Sequence, residues 1–214
     1  MFKTVSVADF NSILAAANAS DDFRACFRRF VNFSPAIAAG AAVHAGDLEI
    51  DGNWRVPAFC TLVTGHLTVS GLLDLQNPEG FDEGGLLIVL GNVLCRHFIG
   101  EYGKCSFIDG DLEAHHSVMN GFGDSSLCIM GGLSTRLFIG CDIWAEVGAG
   151  ATMDYGVGYC LPLGYTDAAR QAISPRHSEA ETARILRASP RGNGYLFEVD
   201  QFTRDIREGR EIFR

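Results

Sequence analysis

The feature that most constrains this chain is a degenerate repeat anchored on glycine. Five segments share one pattern: AVHAGDLEI, TLVTGHLTV, LIVLGNVLC, SFIDGDLEA and LCIMGGLST, with anchors at Gly46, Gly65, Gly91, Gly110 and Gly131. The anchor spacings are 19, 26, 19 and 21, and the long one holds an insertion over 74–84, DLQNPEGFDEG, rich in turn formers. Aligned on the anchors, the segments give columns. Three residues before the anchor stand Val43, Leu62, Ile88, Phe107 and Cys128; two after it stand Leu48, Leu67, Val93, Leu112 and Leu133. Eight after it stand Trp54, Leu73, Ile99, Val118 and Ile139, so that all three columns are apolar. Four after the anchor stand Ile50, Val69, Cys95, Ala114 and Thr135, mostly small or β-branched.

A unit of this length cannot bury three short apolar stretches by itself. Stacking like on like forms parallel sheets around a continuous core. Just after the anchor the pattern alternates: Asp47, Glu49, Asp111 and Glu113 point out, while Leu48, Ile50, Leu112 and Ala114 point in. A helical repeat is a poor rival, because a Gly-rich, β-branched unit this short cannot hold a helix pair. The expected fold is therefore mainly β, a parallel β-solenoid of five to six rungs over 41–160, capped by helices at both ends.

Those ends form the other two regions, 1–40 and 161–214. Phe10, Ile13, Leu14 and Ala17 make one apolar helical stripe. Ser20-Asp21-Asp22 is an N-cap signal for a second helix carrying Phe23, Phe27, Phe30 and Val31, expected as a lid on the first rung. After Gly150 the rung pattern decays. Thr166-Asp167 can cap a short helix, and Ser178 with Glu181 forms a capping box for another, through about Arg187. Asp200 can start a last helix stopped by Gly209, with Ile212 and Phe213 docking or adding an edge strand.

Composition narrows the function classes. Net charge is −9, which argues against nucleic-acid and anionic-membrane ligands and fits a basic protein partner. The seven cysteines include no CxxC pair, the N-terminal stretch shows no basic region followed by an apolar one, and no apolar run approaches the ~20 residues of a membrane span. A reduced, cytoplasmic protein with cysteines buried as small hydrophobes is expected.

The G-[DN]-[LV] rungs near 20 residues resemble the bactofilin-type, polymer-forming solenoids of bacteria, and bacterial proteins with tandem GDL-type rungs and a short helical tail. The resemblance covers roughly half the chain. It implies right-handed winding, in line with the general preference of parallel crossovers, and a capacity for self-assembly.

Few residues read as chemistry. His97 and His116 both stand six after their anchors. On adjacent rungs ~4.8 Å apart they could share a metal, but Gly52, Gly71 and Leu137 complete that column without a third ligand. Corner histidines and no metal are expected. The carboxylates Asp47, Glu49, Asp111 and Glu113 are split by two rungs carrying His66, Asn92, Thr68 and Leu94, which fits a solvated strand face. Cys60 and Cys105 share a column, Cys95 and Cys128 fall in core columns, and Cys141 follows Gly140, with no local motif that lowers a thiol pKa. A G-x-S-x-G elbow, a phosphate loop and the strict six-residue period of hexapeptide acyltransferases are all absent. No catalytic residue and no cofactor are expected.

The loops 74–84 and 120–125 each hold an aromatic among glycines and acids. Phe81, Asp82, Glu83, Phe122 and Asp124 are the expected protein-binding residues. The functional expectation is a non-enzymatic protein-binding module, monomeric or a small homo-oligomer. A bacterial toxin-neutralising, immunity-type protein fits it, since acidic inhibitors steer to basic toxins. A self-assembling scaffold and an enzyme with a surface-groove site are the alternatives.

Overall fold

In the computed structural model the described residues are 1–30, 41–76, 84–157, 163–164, 174–187, 190–191, 196–197 and 199–214. The chain winds through about six turns of a parallel β-solenoid. Each turn contributes to three faces. Face A is built from β2 (Ala41–His44), β5 (Cys60–Val63), β7 (Gly85–Val89) and β9 (Lys104–Ile108), then from the later parts of β10 (Leu112–Ile129) and β11 (Gly132–Val147). Face B follows the anchor glycine: β3 (Leu48–Ile50), then the starts of β6 (Leu67–Asp74), β8 (Val93–Glu101), β10, β11 and β12 (Gly150–Val157). Face C holds β4 (Trp54–Arg55), the ends of β6, β8 and β12, and the middles of β10 and β11.

The column two after the anchor stacks in register, Leu48–Leu67–Val93–Leu112–Leu133, and a sixth turn continues it with Ala151. Together with Val63, Val89, Ile108, Ile129 and Val147 from face A it fills the interior. The column eight after the anchor does not hold throughout. The inward ladder on face C is Trp54–Leu73–Phe98–Val118–Phe138. Two rungs have one residue fewer at the corner between faces B and C, so Ile99 and Ile139 face outward instead. The column three before the anchor also points outward, yet it is buried, because helices cover it.

The anchor glycines sit where rungs come closest. A Cβ on Gly91 would lie 2.9 Å from the carbonyl carbon and oxygen of Gly65, and one on Gly131 would lie 2.8 Å from those of Gly110. The residue after each anchor serves the next rung. Asp47 Oδ1 accepts from the His66 N–H (2.8 Å), His66 Nδ1 from Asn92 (3.0 Å), Asn92 Oδ1 from Asp111 (3.0 Å) and Asp111 Oδ1 from Gly132 (2.7 Å). The Gly-Asp/Asn signature is thus a corner device, and Asp47 and Asp111 are not simply solvated acids: each satisfies a backbone donor that the corner leaves outside the ladder.

The helices take the outer faces rather than the end. α1 (Val7–Ala16) and α2 (Asp21–Phe30) lie on face A, where Phe10, Phe23 and Phe27 pack against residues such as Leu62, Ile88 and Phe107. The expected lid is therefore a lateral cover, because the outward apolar column of face A offers these aromatics a larger surface than one open end. The core at the first rung is closed by Phe2, stacked on Trp54 with ring centroids 5.8 Å apart, while β1 (Lys3–Val5) pairs antiparallel with β2. On face C, Ile99, Met119, Ile139 and Val157 lie beneath Phe202, Ile206, Ile212 and Phe213. The covering segment includes α3 (Glu179–Ile185), which starts in the expected capping box, and α4 (Val199–Arg207), which ends before Gly209 at φ +71°. Thr166 and Asp167 lie outside the described residues. No helix among the described residues is long and apolar enough to cross a membrane.

Candidate functional site

With faces A and C occupied, face B is the broad surface that the described residues leave bare. Its outward side chains alternate with the buried ladders. Glu49, Glu113, Ser134 and Thr152 are exposed, with Thr68 and Leu94 half-buried between them. The second outward row runs Asp51, Ser70, Arg96, His115, Arg136 and Asp154. Across both rows four carboxylates face two guanidiniums, and the acids dominate at the first rung. Local bonds order this surface: Ser70 Oγ donates to Asp51 (2.9 Å), His115 lies 3.1 Å from Glu113, and Arg136 sits 3.9 Å over the Phe213 ring.

Where face B meets the C-terminal cover there is a cleft of about 110 Å³, lined by residues including Arg96, His97, His116, Arg210 and Glu211. The His97 and His116 rings meet edge to face at 5.2 Å between centroids. They do not share a ladder column, since His97 pairs with Ser117 and His116 is the extra corner residue. His97 is held by Ser117 Oγ at 2.8 Å, and burial, aided by His116 and Arg96, pushes its imidazole down to about 3. Burial and Arg96 also lower His116. Both rings are thus neutral near pH 7, able to accept or donate a hydrogen bond but not to carry charge. Among the described residues, the set of three or more metal-ligating atoms lying together does not include this pair.

The expected loop site is only partly described. Phe81, Asp82 and Glu83 lie outside the described residues. Phe122 falls within β10, and Asp124 is exposed with φ +59°. One rung below, Tyr102 repeats that φ of +59° and is 42% exposed, with Gly103 stacked under Gly123. Tyr102 is the aromatic that loop length alone does not reveal, because its turn has no insertion; the signal was the stacked Tyr102-Gly103 and Gly123-Asp124 corners. Trp144 on face A is another large exposed side chain among the described residues, at 48%.

Two ionic contacts to buried carboxylates fix the covers. Arg207 Nε reaches Asp74 at 2.9 Å and its Nη2 reaches Glu101 at 2.7 Å, joining α4 to face C. Arg29 reaches Glu146 at 3.0 Å, joining α2 to the sixth turn of face A. Compared with family models, curated proteins and solved structures, the chain gives no match.

Proposed function

We propose that this protein is a non-enzymatic binding module that presents face B to a protein partner. The observation that carries the reading is the division of the faces: two are covered by the chain's own helices, held by arginines that reach buried carboxylates, and among the described residues one polar face is left open over six turns. A preorganised surface of this kind binds without an ordering cost. Its excess of carboxylates, with the net charge of −9, favours a basic partner, as a toxin-neutralising protein would require. Five described cysteines are free thiols, which supports a reducing compartment such as the cytoplasm. The test is cross-linking with mass spectrometry on the affinity-purified protein. Cross-links on face B, lost in a Glu49→Arg/Glu113→Arg variant and kept in Asp22→Arg on α2, are expected. Partner capture that the face B variant leaves unchanged would sink the reading.

One observation favours self-assembly as a second reading. At the first rung β3 and β4 pair only with β6 among the described residues, so their outer edges are free to add a strand. Concentration-dependent filaments of the intact protein in electron micrographs would put this reading first.

A further inference from the structure

The outward column of face A runs Val43, Leu62, Ile88 and Phe107, then changes character to Cys128 and Glu146. The change comes where Cys26 and Arg29 of α2 arrive. Cys128 and Glu146 are direct partners in the β10–β11 ladder, so the fold holds them side by side whatever else they do. Cys26 is 2% exposed, Cys128 0% and Glu146 5%. Their ligand atoms all lie within 4.8 Å of one another.

We propose that Cys26, Cys128 and Glu146 bind a thiophilic divalent metal ion of the zinc class, which fastens α2 to the fifth and sixth turns of face A. The Cys26 Sγ to Glu146 Oε2 separation is 3.8 Å. A tetrahedral zinc with bonds of about 2.3 Å to sulfur and about 2.1 Å to oxygen has an S–O edge of about 3.6 Å, close to the separation of this pair. Two thiolates and a carboxylate are a borderline-soft set that suits zinc over magnesium or calcium. Arg29 does not exclude the ion. Its Nη2 donates to Oε2 at 3.0 Å and its Nη1 to Oε1 at 3.5 Å, and an ionised carboxylate oxygen that accepts one bond keeps a second lone pair, which at Oε2 is the one Cys26 Sγ approaches. The charges also balance: two thiolates and one carboxylate against a divalent ion and one guanidinium give a neutral buried cluster, as do two thiols with the Arg29–Glu146 pair. Metal entry thus exchanges two protons for one dication with no net charge left in the interior. A water completes the fourth position from the Arg29 side, where that side chain is 58% exposed. The site stands apart from face B and departs from the sequence expectation of no metal, because its ligands come from three segments with no ligand spacing to read.

The test is a cobalt(II) titration of the reduced, chelator-stripped full chain. A saturable thiolate-to-cobalt charge-transfer band with the visible intensity of a tetrahedral ion is expected, bleached by zinc, and zinc should raise the thermal midpoint. Cys26→Ser and Cys128→Ser should each lower the band by about half, since each removes one of two thiolates. The double variant should abolish it, and Cys60→Ser should leave it unchanged. The wild-type titration decides by itself whether a site exists, so the proposal stays testable even if a variant fails to fold. No band in the wild type, or a band that survives in a folded double variant, overturns it. So does a protein that takes up no cobalt but forms a 26–128 disulfide on mild oxidation, which would make the pair a redox couple.

Discussion

Asp111 carries two duties at one corner: it follows an anchor glycine, and its carboxylate accepts the Gly132 N–H of the next turn. Removing the acceptor in Asp111→Ala should cost about 1 kcal/mol in denaturant unfolding, while Asp111→Asn should be close to neutral, because Asn92 does the same work one turn earlier. Gly91→Ala should cost about 1–3 kcal/mol, since its methyl would press on the Gly65 backbone. Leu112→Ala, at a fully buried rung centre, should cost about 2–5 kcal/mol. His97 sets a pH dependence. Its folded-state pKa, about 3, lies below its unfolded value near 6.5, so the unfolded chain takes up a proton between those limits and the folded one does not. Stability is present above pH ~6.5 and falls as pH drops toward ~3, and His97→Gln should flatten that slope in pH-dependent thermal melts. At this scale the columns just after the anchor were readable, because they obey a period of two with no interruption. Ile99 and Ile139 were misplaced, because one corner residue more or less leaves the sequence apolar at both candidate positions and only pairing distinguishes them.

Among the elements, the helices show what local signals reach. Ser20 donates its hydroxyl to Asp109, also accepts the Phe23 N–H at 3.1 Å, and begins α2 where its cap signal stands; Ser178 and Glu181 close the expected capping box. What no local signal carried is where these helices dock. Amphipathicity says that a face is buried, and says nothing of the surface that buries it. The docking of α4 depends on Arg207, clamped between Asp74 and Glu101, which are 3% and 6% exposed. Arg207→Ala leaves two buried carboxylates without this cation and should cost about 3–5 kcal/mol, read as a lowered urea midpoint. Arg207→Met, which keeps the packing stem but not the charge, should lose nearly as much; recovery by methionine would assign the loss to packing instead.

For the whole molecule, the solenoid and its approximate turn number were legible, and the manner of its closure was not. The expectation placed a helical lid at the first rung, whereas β1 and Phe2 close that end and, among the described residues, the outer edges of β3 and β4 stay unpaired. Deleting residues 1–5 alone should therefore promote self-association, seen as concentration-dependent light scattering, because it bares the β2 edge and the end of the core together. A truncated protein that stays monodisperse would show that these residues do not guard the end. The Arg29–Glu146 contact closes a loop of 117 residues, and that span has a duration. At about 5–20 residues per second of synthesis, roughly 6–23 s separate the appearance of Arg29 from the appearance of the turn whose carboxylate receives it, and roughly 4–16 s separate Phe27 from the Phe107 it packs on. Until then the nascent chain carries Phe10, Phe23 and Phe27 uncovered while the turns beneath them are laid down one after another, so the order of translation, and not only the final packing, decides how long this apolar segment faces water.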